Sequence, residues 1–330
     1  MTVKELAKLA GVSPATISLV LNNKKGVSEK KRQEILKLIE EHGYSSLKKE
    51  ESKKHNILFI KYSKSGRIAE ENAEFISRVV DAVESECQKK HYNLTITTSR
   101  GKLSELVQTI DYKYFYGIII LGTELQPSDY DDLKMIRIPY VIVDNSMPHL
   151  DCNCVSIDNE ENVFKAVEYF HKKGFKKIGY FKGNEKLQNF REREHGFYEA
   201  AKFYGIEVEP EDIFEVPTTM LGAFEATQRY IQENRTIPKC IFADNDLIAI
   251  GVMKALKLAG FDIPEDISII GFDNIPFGKI HSPTISTINV DPELLGVISL
   301  VILSDMQEKE NYKDIKVKAG GDFIKRQSTI

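Results

Sequence analysis

Residues 2–22 read TVKELAKLAGVSPATISLVLN, two short amphipathic segments separated by a glycine and a Ser-Pro pair. Thr2 followed by Glu5 is a capping box, in which the hydroxyl accepts from the third helical N–H and the carboxylate reaches back to the cap. A first helix starts there, with Leu6, Ala7 and Ala10 on its buried stripe. Gly11 supplies permissive backbone for a tight turn, Ser13 caps the next helix and Pro14 takes its first position. That second helix turns Ile17, Val20 and Leu21 inward and leaves Ala15, Thr16, Ser18, Leu19 and Asn22 facing out. A third helix, capped by Ser28 and ending at Gly43, carries Ile35, Leu36 and Ile39 inward. With the second helix held across the first, this is helix-turn-helix spacing, which presents an outer face to the major groove of a duplex.

Charge separates this head from the rest of the chain. Residues 1–55 hold 12 Lys and Arg against 7 Asp and Glu, whereas the remaining residues hold 33 against 42. A small basic head on a large acidic body points to a polyanion as the partner of the head alone. With 330 residues, 42% of them hydrophobic and 28% charged, the chain has the composition of a folded protein of two or three domains. Its longest apolar runs, such as Ile118–Leu121, fall far short of the ~18 to 20 residues of a membrane helix. Residues 1–25 have no apolar core or small-residue cleavage site of a secretory signal, so the expected location is the cytoplasm. Cys87, Cys152, Cys154 and Cys240 make neither a disulfide framework nor a zinc pattern and read as reduced thiols. No metal or cofactor is expected.

From Asn56 onward, short β-branched runs alternate with amphipathic helices. Strands are expected at Ile57–Ile60, Leu94–Thr97, Ile118–Leu121 and Pro139–Asp144, with helices at Glu71–Lys90 and Leu103–Ile110 between them. The rhythm restarts with helices at Glu160–Lys173, Glu192–Tyr204, Ala223–Glu233 and Leu247–Ala259. Its strands fall at Ile178–Phe181, Ile213–Val216, Cys240–Ala243 and Ile267–Gly271. Two such series predict two doubly wound lobes, each a parallel sheet covered on both faces. Ligands bind such sheets beyond the carboxyl ends of the strands. The polar residues there, Asp144, Asp244-Asn245-Asp246 and Asp273-Asn274, are therefore the ones to inspect. There is no Gly-rich phosphate loop, no Gly-x-Ser-x-Gly elbow and no His-Glu-x-x-His, and the acidic strand ends lack a nucleophile and base, so an enzyme is disfavoured.

The run from Thr2 to Asn22, continued by Val27-Ser28 and Gly43-Tyr44, resembles the head of the LacI/GalR (lactose repressor/galactose repressor) family of bacterial transcription regulators. The resemblance extends through Tyr116-Gly117-Ile118-Ile119, Ile138-Pro139, Val143-Asp144, Arg193-Glu194-His195-Gly196-Phe197, Asn245-Asp246, Gly271-Phe272-Asp273 and Arg326-Gln327-Ser328-Thr329, nearly the whole chain. It implies an α/β chain in which a helix-turn-helix DNA-binding head and hinge (1–55) precede a two-lobed, doubly wound, periplasmic-binding-protein-like effector and dimerisation domain (56–330). Lobe one is expected at about 56–158 and 290–318, and lobe two at about 159–289 and 319–330.

By the resemblance, Ser13, Thr16, Ser18, Asn22 and Ser28 contact phosphates with help from Lys30 and Arg32, while Pro14, Ala15 and Leu19 face base edges. Leu19 departs from the arginine that many members carry there, a fork able to grip guanine O6 and N7. Direct readout is then expected to lean on apolar contacts and on the start of the first helix, Thr2 and Val3. Residues 44–56 lack the family's Pro-Asn and Ala-Arg-x-Leu hinge, leaving Leu47 as the apolar minor-groove wedge to consider against a solvated charged linker. The Pro-less hinge resembles that of a subgroup associated with galactose-type sugars.

In the body, Arg193 stands at the spacing of the family's effector-binding arginine, and Asp144, Asn245 and Asp273 match strand ends facing the cleft. Bidentate acceptors and an arginine fork both suit vicinal hydroxyls. Thr218 takes a place where some members carry an aromatic that stacks on the sugar, and His171 and His195 are expected on helix surfaces. The resemblance implies a homodimer on a near-palindromic operator, responsive to a small molecule, a sugar first. The other inputs are a phosphorylated metabolite or a corepressor protein, and the other class is a solute-binding protein with no regulatory role.

Overall fold

The computed structural model describes residues 3–21, 24, 26–41, 56–64, 73–308 and 314–330. The chain divides into two compact units, 1–56 with 111–116, and 57–110 with 117–330. The short stretch 111–116, read in the sequence as part of the body, thus belongs to the first unit.

The head is built from α1 (Val3–Leu9), α2 (Pro14–Leu21) and α3 (Glu29–Glu41). Gly11 takes φ 62° at the turn between the first two. The hydroxyl of Ser13 accepts from the Thr16 N–H at 3.2 Å, capping α2 as its sequence predicts. Leu6, Ala7, Ala10, Ile17, Val20, Ile35 and Ile39 form the buried core, with Leu21 and Leu38 partly buried against it. Leu36 is not in this core. It is 40% exposed, because Ile35, Leu38 and Ile39 make the i, i+3, i+4 stripe and Leu36 lies one step around the helix from Ile35. In so small a core, Ile17→Ala would remove about 2 to 5 kcal/mol. Thr2, Asn22, Gly43 and Leu47 lie outside the described residues, as does the side chain of Val3.

The body contains two six-stranded sheets. The first has the order β2 (Asn93–Ser99), β1 (Asn56–Tyr62), β3 (Gly117–Leu121), β4 (Tyr140–Val143), β5 (Asn153–Ile157) and β11 (Lys316–Ala319). The second runs β7 (Ile213–Val216), β6 (Gly179–Gly183), β8 (Cys240–Ala243), β9 (Ser268–Asp273), β10 (Ser286–Asn289) and β12 (Asp322–Ile324). The ladders β1 to β3, β3 to β4, β4 to β5 and β5 to β11 are parallel, and in the second sheet β12 runs antiparallel to β10. Burial on both faces explains the uninterrupted apolar strands, such as fully buried β3 and β8.

Helices α4 (Ala73–Lys89), α5 (Leu103–Thr109), α6 (Tyr130–Leu133) and α12 (Pro292–Glu308) accompany the first sheet, and α7 (Asn159–Lys172), α8 (Gln188–Tyr204), α9 (Met220–Gln232), α10 (Asp246–Leu258) and α11 (Pro276–Ile280) the second. Two glycines set helix spacing. A Cβ on Gly196 would meet the Glu160 Cα at 2.7 Å, so α8 lies against the backbone of α7; a Cβ on Gly251 would meet the Met220 carbonyl at 2.4 Å, bringing α10 onto α9.

Seven elements had no counterpart in the sequence reading: β5, β10, β11, β12, α6, α11 and α12. Buried Asn153 and Ser156 interrupt the apolar pattern of β5. Asn153 is satisfied by accepting from the Ile315 N–H at 2.9 Å, which anchors the start of β11.

Candidate functional site

Three polar strand ends converge as the sequence predicts, and the backbone explains how. Asp144, directly after β4, has φ 66°; Asp273, ending β9, has φ 103°, and Asn274 after it φ 58°. Asp and Asn tolerate the left-handed region better than other side-chain-bearing residues. The chain can therefore turn sharply at the carboxyl ends of the strands.

Asp144, Arg193, Asn245 and Asp273 line one cavity of about 160 Å³, roughly ten times what one water requires. Thr123 and Asn189 join them on the polar side, and Phe75, Leu187, Phe190, Leu247 and Phe277 supply an apolar wall. Arg193, from α8, is buried, and its Nε donates to Asn159 Oδ1 at 2.9 Å. One terminal nitrogen donates to the Asp244 carbonyl and the other reaches Asp273 Oδ1 at 3.3 Å. The guanidinium lies 3.7 Å from the ring centre of Phe272. Asp144 Oδ2 accepts from Thr123 at 2.6 Å and its Oδ1 from Asn189 at 3.0 Å. Asn245 is a helix cap as well as a cavity residue, its side-chain oxygen accepting from the Ile248 N–H at 2.8 Å at the start of α10.

Burial dominates the electrostatics. It pushes Asp144 and Asp273 up to about 6 each, although the nearby Arg193 pulls both back. Asp244 and Asp246, which flank Asn245, do not line this cavity. Asp244 accepts from the Tyr180 hydroxyl and the Gly183 N–H, and burial raises it to about 7. Asp246 accepts from Thr287 Oγ1 at 2.7 Å and the Ile275 N–H at 2.9 Å, and burial raises it to about 8. Both carboxyls brace the loops around the site from within the second sheet.

Thr218 is not among the cavity residues. It is buried where a Cβ on Gly183 would meet its methyl at 2.7 Å and the Phe190 ring at 2.8 Å. The aromatic ring presented to the cavity beside it is that of Phe190. His195 is exposed, its Nδ1 3.0 Å from Glu160 Oε1; His171 is half-buried, stacked 4.9 Å from the Tyr204 ring. No group of metal-ligating side chains occurs among the described residues, and none of their helices is long and apolar enough to cross a membrane.

The sequence reading missed Asn189, Asn159, Thr123 and the aromatic wall. Asn189 had a signal, since it lies one turn before Arg193 on the same helical face. It was lost because α8 begins at Gln188 rather than Glu192, and Leu187 at its N-cap makes no side-chain cap bond.

In the head, Ser13, Pro14, Ala15, Ser18, Ser28 and Lys30 are exposed, while Thr16, Leu19 and Arg32 are half-buried. Arg32 donates to the Lys24 carbonyl, tying α3 to the segment after α2. Leu19 lies 3.5 Å from where a Cβ on Gly26 would stand, so part of its side chain packs on that segment.

Comparison with known proteins covers both units. Residues 2–46 match the family described as bacterial regulatory proteins, lacI family, and residues 167–329 match a periplasmic binding protein-like domain. The chain is 27% identical to the HTH-type transcriptional repressor PurR of Mannheimia succiniciproducens, over 99% of this chain and 98% of that protein. It is 28% identical to the ribose operon repressor of Haemophilus influenzae, over 95% of each. Among solved structures, the lac repressor dimer bound to operator and the anti-inducer ONPF superposes with a TM-score of 0.75 at 21% identity, covering 100% of this chain and 99% of that one. The transcriptional regulator CelR-cellobiose complex gives 0.74 at 20% identity, covering 99% of each. These likenesses in structure establish a shared fold.

Proposed function

The chain belongs to the LacI/GalR family of DNA-binding, ligand-modulated transcriptional repressors, and from that membership we propose that it represses sugar-utilisation genes in the cytoplasm as a homodimer, its effector being a neutral sugar held in the cavity around Arg193. One observation carries the choice of sugar. The carboxylates of Asp144 and Asp273 and the amide of Asn245 share a small cavity with an aromatic and aliphatic wall. Carboxylates accept from paired hydroxyls, while the C–H face of a pyranose lies against apolar rings.

A phosphorylated effector fits this lining less well. Arg193 already donates to Asn159, the Asp244 carbonyl and Asp273. The second arginine of the cavity, Arg78, reaches Glu293 at 3.3 Å. A dianionic group would meet Asp144 and Asp273 without an uncommitted cation among the described lining residues. A galactose-type sugar is the first to try, on the resemblance of the hinge.

In the head, exposed Ser13, Ser18, Ser28 and Lys30, with half-buried Thr16, are assigned to phosphates, and Pro14, Ala15 and Leu19 to base edges. A dimer is supported by the likeness to the lac repressor dimer and by Leu258, Phe277 and Ile280, large apolar side chains 46% to 78% exposed. Lys257 donates to the Ser282 carbonyl at 3.0 Å, which brings the ends of α10 and α11 together. Ile280→Asp is expected to shift the protein toward monomer in sedimentation.

The test of the function is calorimetry of the full chain with a panel of neutral mono- and disaccharides, followed by titration of an operator selected from random duplexes with and without the best binder. A sugar that binds and weakens operator affinity is the expected result. Binding only of phosphorylated sugars, or of no small molecule, would overturn the neutral-sugar reading and favour a phosphorylated metabolite or a corepressor protein.

A further inference from the structure

Glu192 lies one residue before Arg193 on α8, is 7% exposed, and has no ion pair with a lysine or arginine among the described residues. A carboxylate so placed requires hydrogen-bond donors. It has three, and they come from different parts of the body. Oε1 accepts from the Ser146 hydroxyl and from Gln188 Nε2 at 3.2 Å, and Oε2 accepts from Asn159 Nδ2 at 2.9 Å. Ser146 sits in the loop after β4 of the first sheet, whereas Gln188 shares α8 with Glu192. Asn159 opens α7, where the chain passes from the first sheet to the second.

Each end of this contact is held firmly. The loop that presents Ser146 has left-handed backbone at Asp144 (φ 66°), Met147 (φ 46°) and His149 (φ 61°), conformations that persist only where surrounding bonds over-determine them. Asn145 does that: its amide donates to the Gly122 and Leu125 carbonyls at 2.9 and 3.2 Å, and its oxygen accepts from the Met147 N–H at 2.9 Å. At the other end, Asn159 is shared. While its nitrogen serves Glu192, its oxygen accepts from Arg193 Nε at 2.9 Å.

We propose that Glu192 is a positioning residue that clasps the two lobes through Ser146 and, through Asn159, fixes the Nε edge of Arg193. The clasp consists entirely of protein groups. It therefore biases the lobes toward the closed arrangement before an effector contributes anything, and the effector supplies only the remaining difference between open and closed. The inference rests on the cavity as the effector site, but the closure it concerns is measured without any effector.

The chain contains no tryptophan, so Phe190→Trp, at a half-buried ring of the cavity wall away from the exposed apolar side chains assigned to the dimer, places a single reporter at the cavity. Acrylamide quenching of that reporter, in the full chain with no sugar added, reads access to the cleft. Ser146→Ala removes the donor from the first lobe. Glu192→Leu removes the acceptor of all three bonds while keeping a side chain of similar bulk. Each is expected to raise the quenching constant about twofold or more, since losing a hydrogen bond to a carboxylate shifts such an equilibrium roughly tenfold. The double variant should be no more open than either single one, because both break the same contact, and Ser146→Thr, which keeps the hydroxyl, should stay at the parent level. Unchanged quenching in both single variants, or fully additive effects in the double, would overturn the clasp. A neutral-sugar panel that fails in calorimetry would leave this result untouched and count against the effector reading alone.

Discussion

Arg193 and Asp273 face each other across the cavity at 3.3 Å, Nη2 to Oδ1, with 4% of the arginine side chain and 19% of the aspartate side chain exposed. The pair is half of a larger arrangement, because the same guanidinium rests on Phe272 and donates to the Asp244 carbonyl. A bound hydroxyl that shares Asp273 therefore enters a site whose geometry is already set, which lowers the ordering that binding requires. Arg193→Ala and Asp273→Ala are each expected to abolish the sugar response, leaving operator affinity without sugar within about tenfold, or ~1.4 kcal/mol. Operator titrations with and without the best sugar check this, and an intact response in both variants would move the site elsewhere.

Protonation of the buried carboxyls makes the body less stable as pH rises. Asp246 is raised to about 8, mainly by burial and then by Asp273 close by. Its folded value lies above its unfolded one, so its contribution is full below the ordinary aspartate value of 3.8 and is lost as pH rises through about 8. Asp246→Asn keeps an oxygen for the Ile275 N–H and offers an N–H to Thr287, whose hydroxyl can accept. The melting temperature of the variant should therefore gain on the parent between about pH 5 and 8, where unfolding of the parent releases the proton. Parallel melting curves across that range would show that Asp246 is ionised in the folded protein.

Gly196 gives a prediction about packing. With its Cβ position 2.7 Å from the Glu160 Cα and 2.9 Å from the Glu160 carbonyl oxygen, an alanine there must separate α8 from α7 by backbone movement. Gly196→Ala is expected to destabilise the body by about 1 to 3 kcal/mol, although alanine favours a helix intrinsically. It should also weaken sugar binding, since Asn159 and Arg193 sit on these two helices and share a bond. Denaturant melts and calorimetry on the same preparation check both parts.

The residues that could be found in the sequence are those whose position is fixed by a strand ending. Asp144, Asn245 and Asp273 follow buried apolar runs, and a parallel sheet places such residues at one edge wherever its helices fall. Asn189 and Glu192 could not be found that way, because their place depends on where α8 begins, and Leu187 gives no capping signal. Thr218 failed for a different reason. It lies beside a strand end, but it packs against Gly183 next to the Phe190 ring, and it is Phe190 that lines the cavity, a packing detail with no periodic trace. The same holds for α12, whose run from Leu294 to Leu303 is apolar on most sides and buries Gly296 against the Val79 carbonyl. A helix apolar all round has no stripe to read.

Leu19 offers the sharpest test of the head. It is half-buried, packed toward Gly26, and its carbonyl accepts from the Lys24 N–H at 2.9 Å. An apolar side chain there can contact a thymine methyl but cannot bond guanine. In Leu19→Arg, the aliphatic stem can occupy the leucine's place while the guanidinium extends outward. Selection from randomised duplexes should then shift one base pair of each half-site toward guanine, by about 1 to 3 kcal/mol against the original base. Lys30→Ala provides the contrast, because a phosphate contact carries no sequence information. It should weaken binding evenly across sequences and reduce the slope of log affinity against log salt by about 0.9 per half-site. If Leu19→Arg left base preference unchanged while Lys30→Ala altered it, the faces of the second and third helices would have to be reassigned.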